Sequence, residues 1–333
     1  MVANQTCPLS DNNLSEAKFK LTRDFLKPSR IIGYTQALGN LGLYLFLLWI
    51  SSQIENGFCL FLMFFLIGIS LNRLFFPVHD CIHLSLFPTK KENHICGSIL
   101  SAYLGTTFEA ISLQHFDHHK NIGLPEDPGA PDYYVSFSSR REYLLFIISP
   151  LFGSIFLQKI IDYLMRPSYS IDVSTNIPNP KKKISMLLAF RRYSLILVLQ
   201  LFVCFILTSG FKLSELWRYP LFGVLPAVTV FLFLIRLRMF LEHGSIDYQV
   251  SNYLLNKNPI TRTIYATTAE RILMCGSDFN YHHEHHLYPG VPGYQLPRLH
   301  NELLKFNYDP QSVRSSYTES FLELWRNLGI NKK

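Results

Sequence analysis

Four apolar runs, each close to the thickness of a bilayer's hydrocarbon core, constrain this chain more than any other feature. A core of about 30 Å needs roughly 20 apolar residues at about 1.5 Å rise each. Gly33–Ile50, Gly57–Phe76, Ser194–Ser209 and Pro220–Ile235 approach that length. Composition agrees, with 48% hydrophobic and 14% aromatic residues but only 17% charged; soluble domains carry about a quarter charged. Two more stretches are ambiguous: Tyr143–Leu157 is apolar but short, and Ile95–Leu113 is diluted by Ser, Gly, Thr and Glu109.

Charge placement orients the runs. Lys18, Lys20, Arg23, Lys27 and Arg30 precede the first run, whereas the loop Ser51–Asn56 holds no Lys or Arg. The stretch from Arg73 to Arg192 is rich in them, including Lys181, Lys182 and Lys183, while Gly210–Tyr219 has only Lys212 and Arg218. Positive residues favour the cytoplasmic side, so four spans with both termini in the cytoplasm are expected. The two ambiguous stretches would then lie on the cytoplasmic surface or re-enter without crossing. The net charge of +7 fits anionic lipid; no motif for reading bases or phosphates accompanies it, so no nucleic-acid partner is expected.

Cys7, Cys59, Cys81, Cys96, Cys204 and Cys275 form no C-x-x-C pair, a reduced, intracellular-facing pattern. The first 30 residues show no apolar core followed by a small-residue cleavage site, so no cleaved signal peptide is expected. Past Pro297 the chain reads as helical. Ser316 and Glu319 form a possible capping box, followed by Phe321, Leu324, Trp325 and Leu328 at the spacing of an amphipathic helix.

Nine of the twelve histidines fall into three five-residue windows: His79–His83, His115–His119 and His282–His286. Side chains three and four apart share a helix face. His79 and His83 are so related, as are His115, His118 and His119, and again His282, His285 and His286. Each window should therefore aim two or three imidazoles at one point. Eight imidazoles exceed one tetrahedral zinc but suit two metals, and imidazole is a good ligand for iron. Ligating histidines need acceptors for their second N–H; Asp80, Asp117 and Glu284 lie inside the windows. With four spans, all three windows would face the cytoplasm.

These windows resemble the three histidine boxes, H-x3-H, H-x2-H-H and H-x2-H-H, of the membrane fatty-acid desaturase superfamily. The similarity runs over residues 35–300 and extends to Leu-Ser-Leu-Phe after His83 and to Leu287-Tyr288-Pro289 after His286. It implies an all-α integral membrane fold of four transmembrane helices, with a cytosolic helical cap holding a histidine-rich dimetal site. Residues 1–30 would be a cytosolic N-terminal segment, 31–300 the membrane desaturase domain and 301–333 the C-terminal cap helices. It further implies two non-haem iron ions, O2 as cosubstrate, and two external electrons that remove two hydrogens from an acyl chain. The metal ligands would be His79, His83, His115, His118, His119, His282, His285 and His286. His243, in Leu241-Glu242-His243-Gly244, stands where the family often has a further ligand. Met239 stands where some relatives carry a water-bridged Asn.

The remaining polar residues have plainer readings. His94 and His300 read as surface or core histidines, His283 as a spacer off the ligand face, and Cys81 as a small packing residue. Glu126-Asp127, within Leu-Pro-Glu-Asp-Pro-Gly-Ala-Pro, reads as a solvated turn. Glu109 and Glu242 are either acids supporting the ligands or solvated interfacial charges. The expected activity is fatty-acyl desaturation of a membrane lipid or thioester at a multi-pass membrane site on the cytoplasmic side. A hydroxylase or ketolase of an alkyl chain or carotenoid is the alternative on the same scaffold. A haem-binding electron carrier or transporter is disfavoured by the tight histidine triplets, and no H-E-x-x-H supports a zinc protease. No His-Pro-Gly-Gly signature occurs, so a separate electron donor, a ferredoxin or b-type cytochrome, is expected.

Overall fold

The computed structural model of the protein describes residues 25–165, 186–243, 261–276, 278–305 and 313–330. Helices dominate them. In chain order these are α1 (Arg30–Gln53), α2 (Gly57–Ile82), α3 (Lys90–Tyr103), α4 (Phe108–Asn121), α5 (Ala130–Tyr133), α6 (Arg140–Ile148), α7 (Ser154–Met165) and α8 (Met186–Leu207). Then come α9 (Tyr219–His243, opening in π-helical turns), α10 (Thr268–Glu270), α11 (His282–Leu287), α12 (Leu296–Leu303) and α13 (Tyr317–Ile330). Two short strands, β1 (Thr263–Ile264) and β2 (Val313–Arg314), pair in parallel. The described residues pack as two units, the first within 29–113 and 144–236, the second within 1–28, 114–143 and 237–333.

The first unit is built on the apolar runs. Polar residues at their edges start the helices: the Asn56 side chain accepts from Cys59 N at the head of α2, and Thr89 accepts from Glu92 N at the head of α3. Such caps satisfy amides that have no partner inside the helix. Tyr44, Leu48, Ile67, Leu71, Leu74, Val203 and Phe222 form the buried core where α1, α2, α8 and α9 meet. The opposite faces carry exposed Phe46, Trp49, Phe61, Leu197 and Leu201. Large apolar residues on the outside of an apolar core are what a helix meeting lipid requires.

Three described helices are long and apolar enough to cross a membrane: α1, α2 and α9. They contain the expected runs Gly33–Ile50, Gly57–Phe76 and Pro220–Ile235. The expected Ser194–Ser209 run falls on α8, whose apolar part, Tyr193–Leu207, is shorter. The ambiguous Tyr143–Leu157 lies on α6 and its 3-10 extension Ser149–Phe152, then turns into α7 with a bend of 78°. Gly153 takes φ +77° at that bend, a conformation that favours glycine. Ile95–Leu113 is likewise split, between α3 and α4, at Gly105 with φ +78°. At this break the Gln200 amide of α8 donates to Ala102 O at 3.1 Å and Tyr103 O at 3.2 Å and accepts from the Tyr219 hydroxyl at 3.2 Å.

One residue counted by the charge argument behaves differently. Arg218 is buried, pairs with Glu215, and donates to Ser51 O at 2.6 Å and Ile54 O at 3.1 Å. It caps the carbonyl end of α1 rather than standing as a loop charge, which leaves Gly210–Tyr219 with still less positive charge in water.

In the second unit, α13 begins after Ser316, whose hydroxyl accepts from Glu319 N at 3.0 Å, one of the two bonds of the expected capping box. Its apolar face carries buried Leu324 and brings Phe321 to 5.0 Å from the Tyr143 ring.

The helices α2 and α9 approach closely at Gly68 of α2. A Cβ there would lie 2.4 Å from Val230 Cβ and 2.6 Å from its Cγ1, so the α2–α9 contact depends on the missing side chain. Gly68→Leu should destabilise by about 1–3 kcal/mol or more through overpacking, read as a lowered thermal midpoint of the protein in detergent; an unchanged midpoint would refute this contact.

Candidate metal centre

The second unit collects seven of the nine expected ligands. The end of α4 supplies His115, His118 and His119, the end of α9 supplies His243, and α11 supplies His282, His285 and His286. They form two groups. The ring nitrogens of His118, His243, His282 and His286 lie within 4.8 Å of one another, and all four residues are buried. The ring nitrogens of His115, His119 and His285 also lie within 4.8 Å of one another.

This corrects the expectation that each window aims at one point. On α4, the pair His115 and His119 joins one group and His118 the other. On α11 the assignment is reversed: His282 and His286 stay together, and His285 leaves. The cause is helix geometry. Residues four apart project within about 40° of one another at 100° per residue, whereas the residue between them at i+3 leans to the other side. The rings of His119 and His286 stack where the groups adjoin, with centroids 4.2 Å apart and planes at 23°.

His79 and His83 belong to the first unit. His79 lies in the last turn of α2 and His83 caps the helix, its N–H returning to Cys81 O and His79 O. Their rings are 5.1 Å apart. The turn that follows is fixed by the Ser85 hydroxyl on the Asp80 carboxylate at 3.1 Å and by the Asn93 amide on Phe87 O at 2.7 Å.

Whether the four-histidine group suits a metal is tested by its own hydrogen bonds. His118 Nδ1 lies 2.9 and 3.0 Å from the Asp127 carboxylate oxygens. A carboxylate only accepts, so Nδ1 carries the proton and Nε2 keeps its lone pair. That Nε2 is buried and makes no hydrogen bond to the protein. His282 Nε2 is approached by two further nitrogens, His243 Nε2 at 2.7 Å and His286 Nε2 at 3.0 Å. Three buried ring nitrogens this close together could turn their lone pairs on one ion, since ligands at about 2.1 Å from a metal lie about 3–4 Å apart. Burial, followed by the neighbouring histidines, holds His282 and His286 well below the usual imidazole range, so both are in the neutral form that binds metal. The donor set fits a transition metal, iron included.

The support around these imidazoles includes residues that the sequence reading passed over. Asp127 is the main correction: it is buried, not solvated. Its carboxylate also accepts from Gly129 N at 2.7 Å and from the Tyr133 hydroxyl, which in turn accepts from Gly123 N at 2.8 Å. The turn is real, but it folds the acid inward to His118. An acid soon after a histidine box was the available signal. His300, read as an ordinary histidine, is buried and donates through Nδ1 to Glu284 Oε1 at 2.5 Å, while its Nε2 accepts from the Tyr265 hydroxyl at 2.8 Å. Thr263 of β1 donates to the other Glu284 oxygen, so Glu284 anchors α11 to β1 and α12. His283 points away to Thr261 Oγ1, 2.6 Å off. Glu242 is buried against Arg238 with two contacts of 2.9 Å, which makes it a supporting acid. Glu109 and His94 are exposed, and Cys81 is fully buried in the core.

Comparison with known proteins agrees with this geometry. The family model for fatty acid desaturases matches residues 56–317, and the chain belongs to that family. Among curated proteins it is similar to a fatty acid desaturase of Bacillus subtilis (strain 168), 24% identical over 77% of this chain and 71% of that protein. It is also similar to a dihydrorhizobitoxine desaturase of Bradyrhizobium elkanii, 28% identical over 69% of this chain and 64% of that protein. A beta-carotene ketolase of Paracoccus sp. (strain N81106 / MBIC 01143) is 22% identical over 67% of this chain and 72% of the ketolase.

Because Asp127 fixes the tautomer of His118, Asp127→Ala should weaken metal retention by about 10–100-fold, measured as metal stoichiometry after dialysis against a chelator. Tyr133→Phe, which removes one of the donors to Asp127, should have a smaller effect in the same direction. Wild-type retention in Asp127→Ala would show that His118 needs no such partner.

Proposed function

We propose that this chain is a membrane-embedded, oxygen-dependent desaturase of fatty-acyl chains, working with two non-haem irons. The observation that supports it most is the convergence of His118, His243, His282 and His286 on one buried point, with His118 held by Asp127. These four would hold one iron. His115, His119 and His285 would hold the second, together with His79 and His83, which the histidine-box pattern assigns to the same centre. The bound metals would supply oxygen activation and C–H oxidation. In the overall reaction, O2, two electrons and two protons, with two hydrogens from the chain, yield one C=C bond and two waters.

The protein's part is to position and to shield. Asp127 keeps His118 in one tautomer, and Glu284, clamped by His300 and Thr263, fixes the α11 helix that carries three donors. Burial of these donors limits access of water and keeps His282 and His286 neutral. The apolar helices give a lipid acyl group its approach, with 31–300 as the membrane domain, 301–333 as its cap and the site on the cytoplasmic side. Electrons would arrive from a separate ferredoxin or b-type cytochrome. The basic balance of the chain favours an acidic donor, so turnover should fall as salt rises.

A second reading is carried by the beta-carotene ketolase among the relatives: hydroxylation or ketolation on the same scaffold, which shares the first hydrogen abstraction. Expression in a host of simple lipid composition, followed by lipid analysis, separates the two. New double bonds that vanish in His118→Ala are the expected result. Oxygenated products dependent on His118 would favour the second reading, and unchanged lipids alongside a metal-free protein would defeat both.

A further inference from the structure

The C-terminal helix reaches the four-histidine group through one carboxylate. Glu242 precedes His243 and its side chain is 1% exposed. Arg238, one turn earlier on α9, donates from Nε to Oε1 and from Nη2 to Oε2, both at 2.9 Å. The hydroxyl of Tyr317, the first residue of α13, also donates to Oε1. His282 Nδ1 is buried without a hydrogen-bond partner among the described residues and lies 3.5 Å from Oε2, just beyond an ordinary hydrogen bond. A carboxylate has about four acceptor positions; here three elements, α9, α13 and α11, face them. The Arg238 pair is local to α9 and would form without the tail. Tyr317 is the group that fixes the carboxylate from outside that helix.

We infer that Tyr317 is a positioning residue of the metal centre: it sets Glu242 so that Oε2 receives His282 Nδ1–H and His282 Nε2 is left to bind metal. The inference rests on the proposed metal site but goes beyond it, because it makes the C-terminal helix a working part of that site. Chemistry requires the direction: once Nε2 is a ligand, the proton must reside on Nδ1, and a buried N–H needs an acceptor. The helix is docked independently by Thr318, whose N and Oγ1 donate to Glu270 Oε1 at 2.8 and 2.7 Å. Losing the Tyr317 hydroxyl therefore removes the link to Glu242 while α13 keeps its other attachment.

The test uses the full chain in detergent, loaded with iron(II) or cobalt(II), comparing wild type, Tyr317→Phe, Glu242→Gln and Thr318→Val. Tyr317→Phe and Glu242→Gln should release part of their iron to a chelator about 10–100 times faster than wild type and alter the visible spectrum of the cobalt form. Glu242→Gln keeps the shape but turns an amide N–H2 towards Nδ1–H when its oxygen stays with Arg238 and Tyr317. Thr318→Val should release iron at the wild-type rate. Wild-type release and an unchanged cobalt spectrum in Tyr317→Phe, or equal acceleration in Thr318→Val, would overturn the inference while leaving the metal site standing. A wild-type chain that binds neither metal overturns the metal site itself and this inference with it.

Discussion

The cost of burying several unshared lone pairs beside one another governs this structure. Imidazole nitrogens with lone pairs directed at a common point repel, and burial weakens the screening that would soften this. Such an arrangement persists only if a rigid frame imposes it on the unloaded protein and a cation rewards it when bound. The frame is visible: Asp127 on His118, Glu284 between His300 and Thr263, and Glu242 between Arg238 and Tyr317. Glu242 and Glu284 each meet donors from separated stretches of chain and Asp127 joins α4 to α5, which makes each acid a joint as well as a charge. Breaking a buried ion pair on one side typically costs about 3–5 kcal/mol, so these joints hold the donors in place while the repulsion pushes them apart.

Much of this was legible in the sequence because it is periodic. Apolar runs gave the long helices, and histidines three and four apart gave the donors of α4 and α11. His243 was reached through the family pattern. What stayed hidden depends on contacts between distant stretches. Asp127 looked like a turn residue because Asp-Pro-Gly makes turns, and it does accept from Gly129 N; nothing local says on which side the carboxylate lies. His300 is a lone histidine whose significance comes from Glu284, sixteen positions away and on another helix. Tyr317 and Glu242 are seventy-five apart. Arg218 was counted as a loop charge because a list of charges cannot show that it faces the carbonyls at the end of α1.

The spans show the same division between composition and geometry. Hydropathy located α1, α2 and α9, and in the ambiguous stretches the interruptions were the signal. Gly105 and Gly153 are where the backbone enters the left-handed region and a helix ends. Gln200, a polar residue in an apolar run, answers the carbonyls exposed by one of these breaks. A residue that looks like an error in the pattern is thus the complement of another interruption nearly a hundred positions earlier.

The reciprocal sharing of histidines between α4 and α11 has its own consequence. Neither group belongs to one helix, so turning either helix about its axis moves donors in both groups at once. The stacked rings of His119 and His286 tie those movements together. Filling one position would lock the rotation of both helices and so prearrange the partners of the neighbouring position. Loading should then be cooperative, with singly occupied protein scarce at equilibrium, and damage to either helix should empty both positions together.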